Sequence, residues 1–254
     1  MAHLHRYHPE RAIADPEAYY TDAFENYPHP SVASAVGRLA MGLAQPTCHY
    51  YGNRTRGEFF AAIPDDMPIV TTFTHRGRKR FHDISAAAAT VFGTPELYGR
   101  LEHINVWAAA KYMTHPVFGK LLPMLGGVPA IRSGEGDYKV CTTMPSSADR
   151  RKVTETLVYH SQAHLHIPRS VLAIFPAGTK MGTSVQEGVG LVLEGLDYAR
   201  VLPIAFTSLT EQTRNIPKDL HVTFCEPIDV MAGITSQQYV EAIARSFRGD
   251  PVQQ

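Results

Sequence analysis

The segment "SVLAIFPAG", residues 170–178, is the stretch that decides the fold. It contains an uninterrupted apolar run, which is typical of a β-strand buried on both of its faces. Strands of this kind occur mainly in parallel sheets that helices cover. The segment therefore indicates an α/β protein, and the loop that follows the strand contains a Pro and a Gly.

Strand and helix patterns alternate on both sides of this segment. Further strands are predicted at "MPIVTTFT" (67–74), "HINVWAAA" (103–110), "GVPAIR" (127–132), "RVLPIAFT" (200–207) and "LHVTFCEPI" (220–228). Helices are predicted at 31–46, 83–93, 111–125, 147–166, around 185–198 and at the end of the chain. Ser146 and Asp149 have the spacing of a capping box before the helix at 147–166, and the last helix has an apolar stripe of Tyr239, Val240, Ile243, Ala244 and Phe247. Such alternation predicts a mostly parallel central sheet with helices on both faces.

The domain organisation follows from the same pattern. No repeat or low-complexity linker interrupts the alternation, so we expect a single α/β domain over residues 49–254. Residues 1–48 are predicted to form an N-terminal arm, rich in His, Pro and Tyr, and an amphipathic helix. That helix, 31–46, is expected either to pack on the core or to lie in a bilayer interface.

Composition excludes several classes of protein. The chain of 254 residues has 24 Lys plus Arg and 24 Asp plus Glu, so the electrostatic footprint of a nucleic-acid-binding protein is absent. The three cysteines are widely spaced and form no CxxC pair, which favours a reducing compartment. No secretory signal and no apolar run of about 18 residues is apparent. We expect a cytoplasmic protein, or one bound to a membrane surface.

Chemically useful side chains follow three of the predicted strands. "THRGRKRFHD" (74–83), "GVPAIRSGEG" (127–136) and "IFPAGTK" (174–180) supply a His, an Asp and several cations. Functional groups of open α/β sheets gather at the carboxyl ends of the strands. A His with a carboxylate partner can deprotonate a hydroxyl, and separate cations can bind a phosphate. No GxSxG motif is present, so the activated hydroxyl is predicted to belong to the substrate.

The order of these segments resembles the glycerolipid acyltransferases, the family of the lysophosphatidic acid acyltransferases. "THRGRKRFHD", "GGVPAIR", "IFPAGTK" and "VLPIAF" are similar to that family's four sequence blocks and occur in the same order. The similarity spans roughly residues 50–230. It implies transfer of a fatty acyl group from acyl-CoA or acyl-carrier protein to a lysophospholipid-like acceptor at a membrane surface, as in phospholipid biosynthesis.

The resemblance also implies roles for individual residues. His75 would be the general base and Asp83 would orient it. Neither a metal nor a bound redox cofactor is implied. The implied acceptor site, in which the cations grip the phosphate, consists of Arg132, Phe175, Pro176, Gly178, Thr179 and Lys180.

Two positions depart from the family pattern. Seven residues separate His75 from Asp83, three more than in the family, and Ala177 stands where the family has Glu. The first departure raises His82 as an alternative base, although Ala87 and not Asp lies five residues after it. The second suggests an altered acceptor or lost activity, so a non-catalytic lipid- or phosphate-binding relative is the alternative function.

Other charged groups have two interpretations each. The cluster of Arg76, Arg78, Lys79 and Arg80 would contact an anionic donor or membrane, or form a solvated loop. The Asp83 side chain would also suit a helix N-cap, and Arg132 and Lys180 would also suit surface ion pairs. A metal site is not expected at two groups of histidines, which are interpreted as surface residues (His160, His164, His166) and as a disordered tail (His3, His5, His8).

Overall fold

The computed structural model describes residues 7–25, 31, 32, 35, 38, 39, 48–51, 63–74, 100, 103–115, 118–133, 135–176, 185–208 and 220–248. The strands are β1 (Cys48–Tyr51), β2 (Ile69–Phe73), β3 (Ile104–Ala109), β4 (Gly127–Ala130), β5 (Val171–Ile174), β6 (Tyr198–Ser208), β7 (Leu220–Phe224) and β8 (Ile228–Met231). The helices are α1 (Pro9–Ala14), α2 (Pro16–Phe24), α3 (Ala110–Met113), α4 (Phe118–Met124), α5 (Ser147–Leu165), α6 (Glu187–Glu194) and α7 (Ser236–Arg248), with a 3₁₀ turn at Glu135–Tyr138.

The strands form one mixed, mostly parallel sheet in the order β1-β7-β6-β2-β5-β3-β4, and β8 also pairs with β6. Five neighbouring strands, from β6 to β4, run parallel. Strands β7 and β8 are antiparallel to β6, and β1 is parallel to β7. The α/β class and the mostly parallel sheet are therefore confirmed.

Local signals explain where the elements begin and end. The Ser146 hydroxyl accepts a hydrogen bond from the backbone N–H of Asp149, and the Asp149 carboxylate accepts one from the backbone of Ser146. This is the predicted capping box, and it starts α5. The predicted helix at 111–125 is divided into α3 and α4 on either side of Pro116. Of the predicted helix at 31–46, the described residues 31, 32, 35, 38 and 39 are helical.

One predicted strand is wrong in its extent. The segment 220–228 is not a single strand, because β7 ends at Phe224 and β8 starts at Ile228. Pro227 lies between them and has no N–H to donate to a ladder. The strand β1 was not predicted. The helix predicted around 185–198 is shorter and ends at Glu194.

An aliphatic cluster covers one side of the central sheet. Leu172 and Ile174 of β5 face it, as expected from the alternation of side chains along a strand. Helices α6 and α7 pack against each other, and both contribute buried side chains to this cluster. Its buried members are Val70, Leu165, Leu172, Ile174, Val189, Val192, Leu193, Leu196, Ala199, Val201, Ala205, Ile228, Val230, Tyr239, Ala242, Ile243 and Phe247.

A second cluster, which we call the arm cluster, joins the N-terminal arm to α5 and β4. The arm is helical: Pro occupies the start of α1 and of α2, where its missing N–H costs nothing. Helix α2 packs on α5 and on β4. The buried members of the arm cluster are Tyr7, Ala12, Tyr19, Tyr20, Ala23, Phe24, Ala110, Met113, Val128, Ile131, Tyr138, Val153 and Leu157.

Candidate functional site

The neighbouring parallel strands β2, β5, β3 and β4 all end on the same side of the sheet. We call this side, formed by their carboxyl ends, the edge of the sheet. β2 pairs with β5 from Ile69 to Thr72, and β3 lies between β5 and β4. Thr74 follows β2, Phe175 follows β5, and Ile131 follows β4, so all three lie at this edge. The three segments singled out from the sequence therefore start from a common edge, at a strand spacing of about 4.8 Å. Arg132 comes after β4, which is the third strand from β2 in the sheet, so it is the candidate residue farthest from β2.

The start of the His75 segment is held by the sheet. The Thr74 backbone N–H donates to the carbonyl of Ile204 at 3.1 Å, and Thr74 is buried. The rings of Phe73 and Phe175 lie 5.4 Å apart, in contact across β2 and β5. His75, Asp83 and the basic residues Arg76, Arg78, Lys79 and Arg80 lie outside the described residues.

The segment after β5 is anchored at both of its ends. Pro176 is buried, and its carbonyl accepts a hydrogen bond of 2.9 Å from the backbone N–H of Gln186. This bond brings together the two ends of the segment that carries three of the predicted acceptor residues. Those residues, Gly178, Thr179 and Lys180, lie outside the described residues.

Arg132 is held in a bidentate ion pair with Asp137. Its Nε donates to Asp137 Oδ2 at 2.9 Å, and its Nη2 donates to Oδ1 at 3.1 Å. The backbone N–H of Arg132 also donates to Oδ2, at 3.0 Å. These hydrogen bonds raise the pKa of Arg132. The structure thus contains the ion pair that was the alternative interpretation of Arg132, and the guanidinium is fixed at the edge of the sheet.

Asp137 is the residue of this site that sequence reasoning missed. The available signal was the turn "RSGEGD", in which two glycines separate Arg132 from an Asp five positions later. The turn is tied down by Arg150, which donates to the carbonyls of Ser133 at 2.9 Å and Pro145 at 3.0 Å. Hydrogen bonds between residues this close in sequence are common in Gly- and Asp-rich turns.

The arm also contacts this turn. The Glu10 carboxylate accepts a hydrogen bond from the backbone N–H of Thr142, which lowers the pKa of Glu10. Tyr138, next to Asp137, is buried in the arm cluster together with Tyr20. Burial raises the pKa of both phenols, so both stay neutral. The turn that carries Arg132 therefore packs on the arm.

The prediction that the histidines of α5 are surface residues is wrong for His164. This side chain is 3% exposed, and its Nε2 lies 3.1 Å from the carbonyl oxygen of Val171. Desolvation lowers the pKa of His164 to about 4. The ring of Phe24 lies 5.8 Å away, so the arm covers it. Periodicity could not show this, because the burial comes from a distant segment.

The structure also describes three other histidines of the two predicted groups, His160, His166 and His8. His160 Nε2 lies 3.0 Å from a carboxylate oxygen of Glu17 on α2, and His166 is exposed at the end of α5. His8 is not part of a disordered tail, because it is the N-cap of α1. His3 and His5 lie outside the described residues. Among the residues that are described, no three His, Cys, Asp or Glu side chains are grouped for a metal.

Compared with known protein families and curated proteins, the chain matches no family model and no curated sequence. None of the helices in the described part of the chain has the length and apolar composition that a bilayer crossing requires.

Proposed function

We propose that the protein is an O-acyltransferase that moves a fatty acyl group from acyl-CoA or acyl-carrier protein to a hydroxyl of a lysophospholipid or glycerol-phosphate-like acceptor. The observation that supports this proposal most is the common edge of β2, β5 and β4. The segments that resemble the acyltransferase blocks leave these strands at the same edge. Active sites of α/β proteins are assembled from such loops.

The proposed reaction needs a base and an anion-binding group. His75, neutral and oriented by Asp83, takes the proton of the acceptor hydroxyl as its oxygen attacks the thioester carbonyl. The C–S bond then breaks, and the proton is passed to the departing thiolate. Arg132 and Lys180 bind the acceptor phosphate by charge-assisted hydrogen bonds. Phe175, Pro176 and the backbone of Gly178 and Thr179 line the acceptor site.

The proposed site of action is the cytoplasmic surface of a membrane, where the protein is bound peripherally. Leu39 supports this, since it is 64% exposed and is one of the helical residues 31, 32, 35, 38 and 39. Arg38 is exposed beside it. An exposed Leu next to a cation is typical of interfacial helices. The cluster of Arg76, Arg78, Lys79 and Arg80 adds a basic segment that suits anionic headgroups.

The proposal is tested with labelled acyl-CoA and acyl-carrier protein against a panel of lysophospholipids and glycerol 3-phosphate. We expect transfer by the wild type and a loss of about 100-fold or more in His75→Ala, because the general base is removed. His166→Ala is the matched control, since His166 is exposed at the end of α5, and it should keep wild-type activity.

Two results would contradict the proposal in different ways. Transfer that survives His75→Ala would assign the base elsewhere, with His82 as the next residue to change. Absence of transfer with every donor and acceptor, together with retained lipid binding, would favour a non-catalytic lipid- or phosphate-binding protein of the same fold.

A further inference from the structure

The Arg132–Asp137 pair has a consequence for the kind of phosphate that this edge of the sheet accepts. The bidentate contact uses Nε and one N–H of Nη2. The outer N–H groups, on Nη1 and Nη2, donate to no residue in the described part of the chain. The Arg132 side chain is 44% exposed, whereas that of Asp137 is 15% exposed. The guanidinium therefore presents its outer end to solvent, and the carboxylate lies behind it.

The carboxylate cannot easily leave the guanidinium. Oδ2 also accepts from the Arg132 backbone N–H, so Asp137 closes its own turn. On one side of it, Arg150 binds the carbonyl of Ser133, and on the other Tyr138 is fully buried in the arm cluster. The backbone N–H of Arg132 holds the carboxylate in the turn whatever the position of the guanidinium. An anion that binds Arg132 therefore binds with the Asp137 carboxylate still in place.

This arrangement changes the charge that an anion meets. A free arginine offers a full positive charge, whereas the pair is neutral as a whole and offers only directed N–H groups. Directed donors bind the oxygens of a singly charged phosphate well. A second negative charge on the ligand gains little from a neutral pair, and it is repelled by Asp137.

We propose that Asp137 is a specificity-determining residue that directs the Arg132 site toward singly charged phosphodiester headgroups and away from doubly charged phosphomonoesters. The inference rests on the proposed acyltransferase function for its substrate, and it narrows the acceptor to lysophospholipids whose phosphate carries a second ester. The size of the effect follows from Coulomb's law. For two unit charges about 6 Å apart, one on Asp137 and one on the ligand, the dissociation constant changes by a factor of about 3 at a dielectric constant of about 80. At a dielectric constant of about 40 the factor is about 10.

The experiment compares lysophosphatidic acid, a monoester, with lysophosphatidylglycerol, a diester with the same acyl chain. It is done at pH 8, where the monoester carries two charges. The ratio of kcat/KM for the two acceptors is measured for the wild type, Asp137→Asn and Asp137→Glu. We expect Asp137→Asn to shift the ratio about 3- to 10-fold toward the monoester, and Asp137→Glu, which keeps the charge, to leave it near that of the wild type.

A matched control is available at the opposite edge of the sheet. Asp229 accepts a hydrogen bond of 2.8 Å from Arg200 Nε, and Arg200 lies near the amino end of β6. Asp229→Asn therefore removes one carboxylate from a comparable pair, with the same change in net charge. We expect it to leave the acceptor ratio unchanged. Asn at position 137 retains a side-chain oxygen for the Arg132 backbone N–H, so the turn is kept.

The outcomes separate this inference from the proposed function. Transfer with an unchanged ratio in Asp137→Asn, or a shift toward the diester, overturns the inference and leaves the acyltransferase standing. If no transfer occurs, equilibrium binding of the same two lysolipids replaces kcat/KM, and an unchanged ratio or an absence of binding overturns the inference there. If Asp137→Asn does not fold, Arg132→Gln gives the opposite test, because the remaining carboxylate should shift the ratio at least about 3-fold toward the diester.

Discussion

The aliphatic cluster and the arm cluster stabilise two parts of the molecule in different ways. The aliphatic cluster is built mainly from Val, Leu and Ile side chains that alternate along strands or share one side of α6 and α7, and its aromatic members are Tyr239 and Phe247. The arm cluster contains four buried tyrosines, Tyr7, Tyr19, Tyr20 and Tyr138. Hydrophobic burial is non-directional, whereas a buried polar group needs a partner in a specific direction.

Polar contacts hold the arm together and join it to α5. The Tyr19 hydroxyl donates to the carbonyl of Tyr7 at 2.8 Å, and the Tyr7 and Tyr19 rings meet edge to face at 5.9 Å. His160 contacts Glu17 across 143 positions of the chain. The aliphatic cluster thus supplies bulk stability, while the arm cluster fixes the arm in one orientation against α5. We therefore expect truncations in the aliphatic cluster to lower the free energy of unfolding strongly. Changes in and around the arm cluster should lower it less, or only at acidic pH.

The largest effect is expected for Leu193→Ala in the aliphatic cluster. Leu193 is fully buried on α6, so its truncation removes apolar contact and leaves a cavity. We expect the free energy of unfolding to fall by about 2–5 kcal/mol, measured by urea denaturation. The matched control is Leu39→Ala, which removes the same atoms from a residue that is 64% exposed and should change stability by less than about 0.5 kcal/mol. Equal losses in the two variants would contradict the central role of the aliphatic cluster.

The next effect is a loss of stability in acid at the boundary between α5 and the arm. The folded protein holds His164 neutral with its pKa lowered to about 4, from an ordinary value of 6.5. Above pH 6.5 this residue is neutral in both states and has no effect. As the pH falls from 6.5 to 4 the unfolded chain binds the proton first, so about 3 kcal/mol of unfolding free energy is lost.

Urea denaturation between pH 7.5 and 4 measures this loss. His164→Gln should lose less stability over that range than the wild type, because the group that takes up the proton is gone. His166→Gln, on the same helix but exposed, should lose as much as the wild type does. The charge of the nearby His103 side chain lowers the pKa of His164 further, whereas a hydrogen bond to the His103 backbone raises it. His103→Gln removes only the side-chain effect, so it should reduce the loss in part. Identical pH profiles for His164→Gln and the wild type would show that folding does not lower the pKa of His164.

The sequence allowed prediction of the elements whose pattern is local. The run 170–178 predicted a buried strand, and β5 is buried at all four of its positions. The box formed by Ser146 and Asp149 predicted the start of α5, because its two hydrogen bonds join residues three apart. Of the predicted stripe on the last helix, Tyr239, Ile243 and Phe247 are buried, and Val240 and Ala244 are half-buried.

What was missed depends on contacts between distant segments. The burial of His164 comes from Phe24 and the carbonyl of Val171, and neither is visible in the periodicity of α5. Asp137 becomes relevant only because the turn after β4 folds back on Arg132. At the site itself, the sequence predicted which strands carry the candidate loops, and parallel pairing brings those strands to one edge. Polar groups gain partners through tertiary structure, which no single-segment pattern encodes.

The smallest effect is expected for the hydroxyl of Tyr19, and it tests how the arm cluster is stabilised. Tyr19→Phe keeps the ring, its burial and its edge-to-face contacts with Tyr7 and Tyr20, but removes the bond to the Tyr7 carbonyl. The unfolding free energy should fall by about 1 kcal/mol, since a net hydrogen bond is worth about 0.5–1.5 kcal/mol. Tyr159→Phe is the control, because Tyr159 is 61% exposed on α5 and should change stability by less than about 0.5 kcal/mol. If Tyr19→Phe changed the free energy of unfolding as little as this control, the Tyr19 hydrogen bond would not stabilise the arm. Ring packing alone would then stabilise it, as apolar packing stabilises the aliphatic cluster.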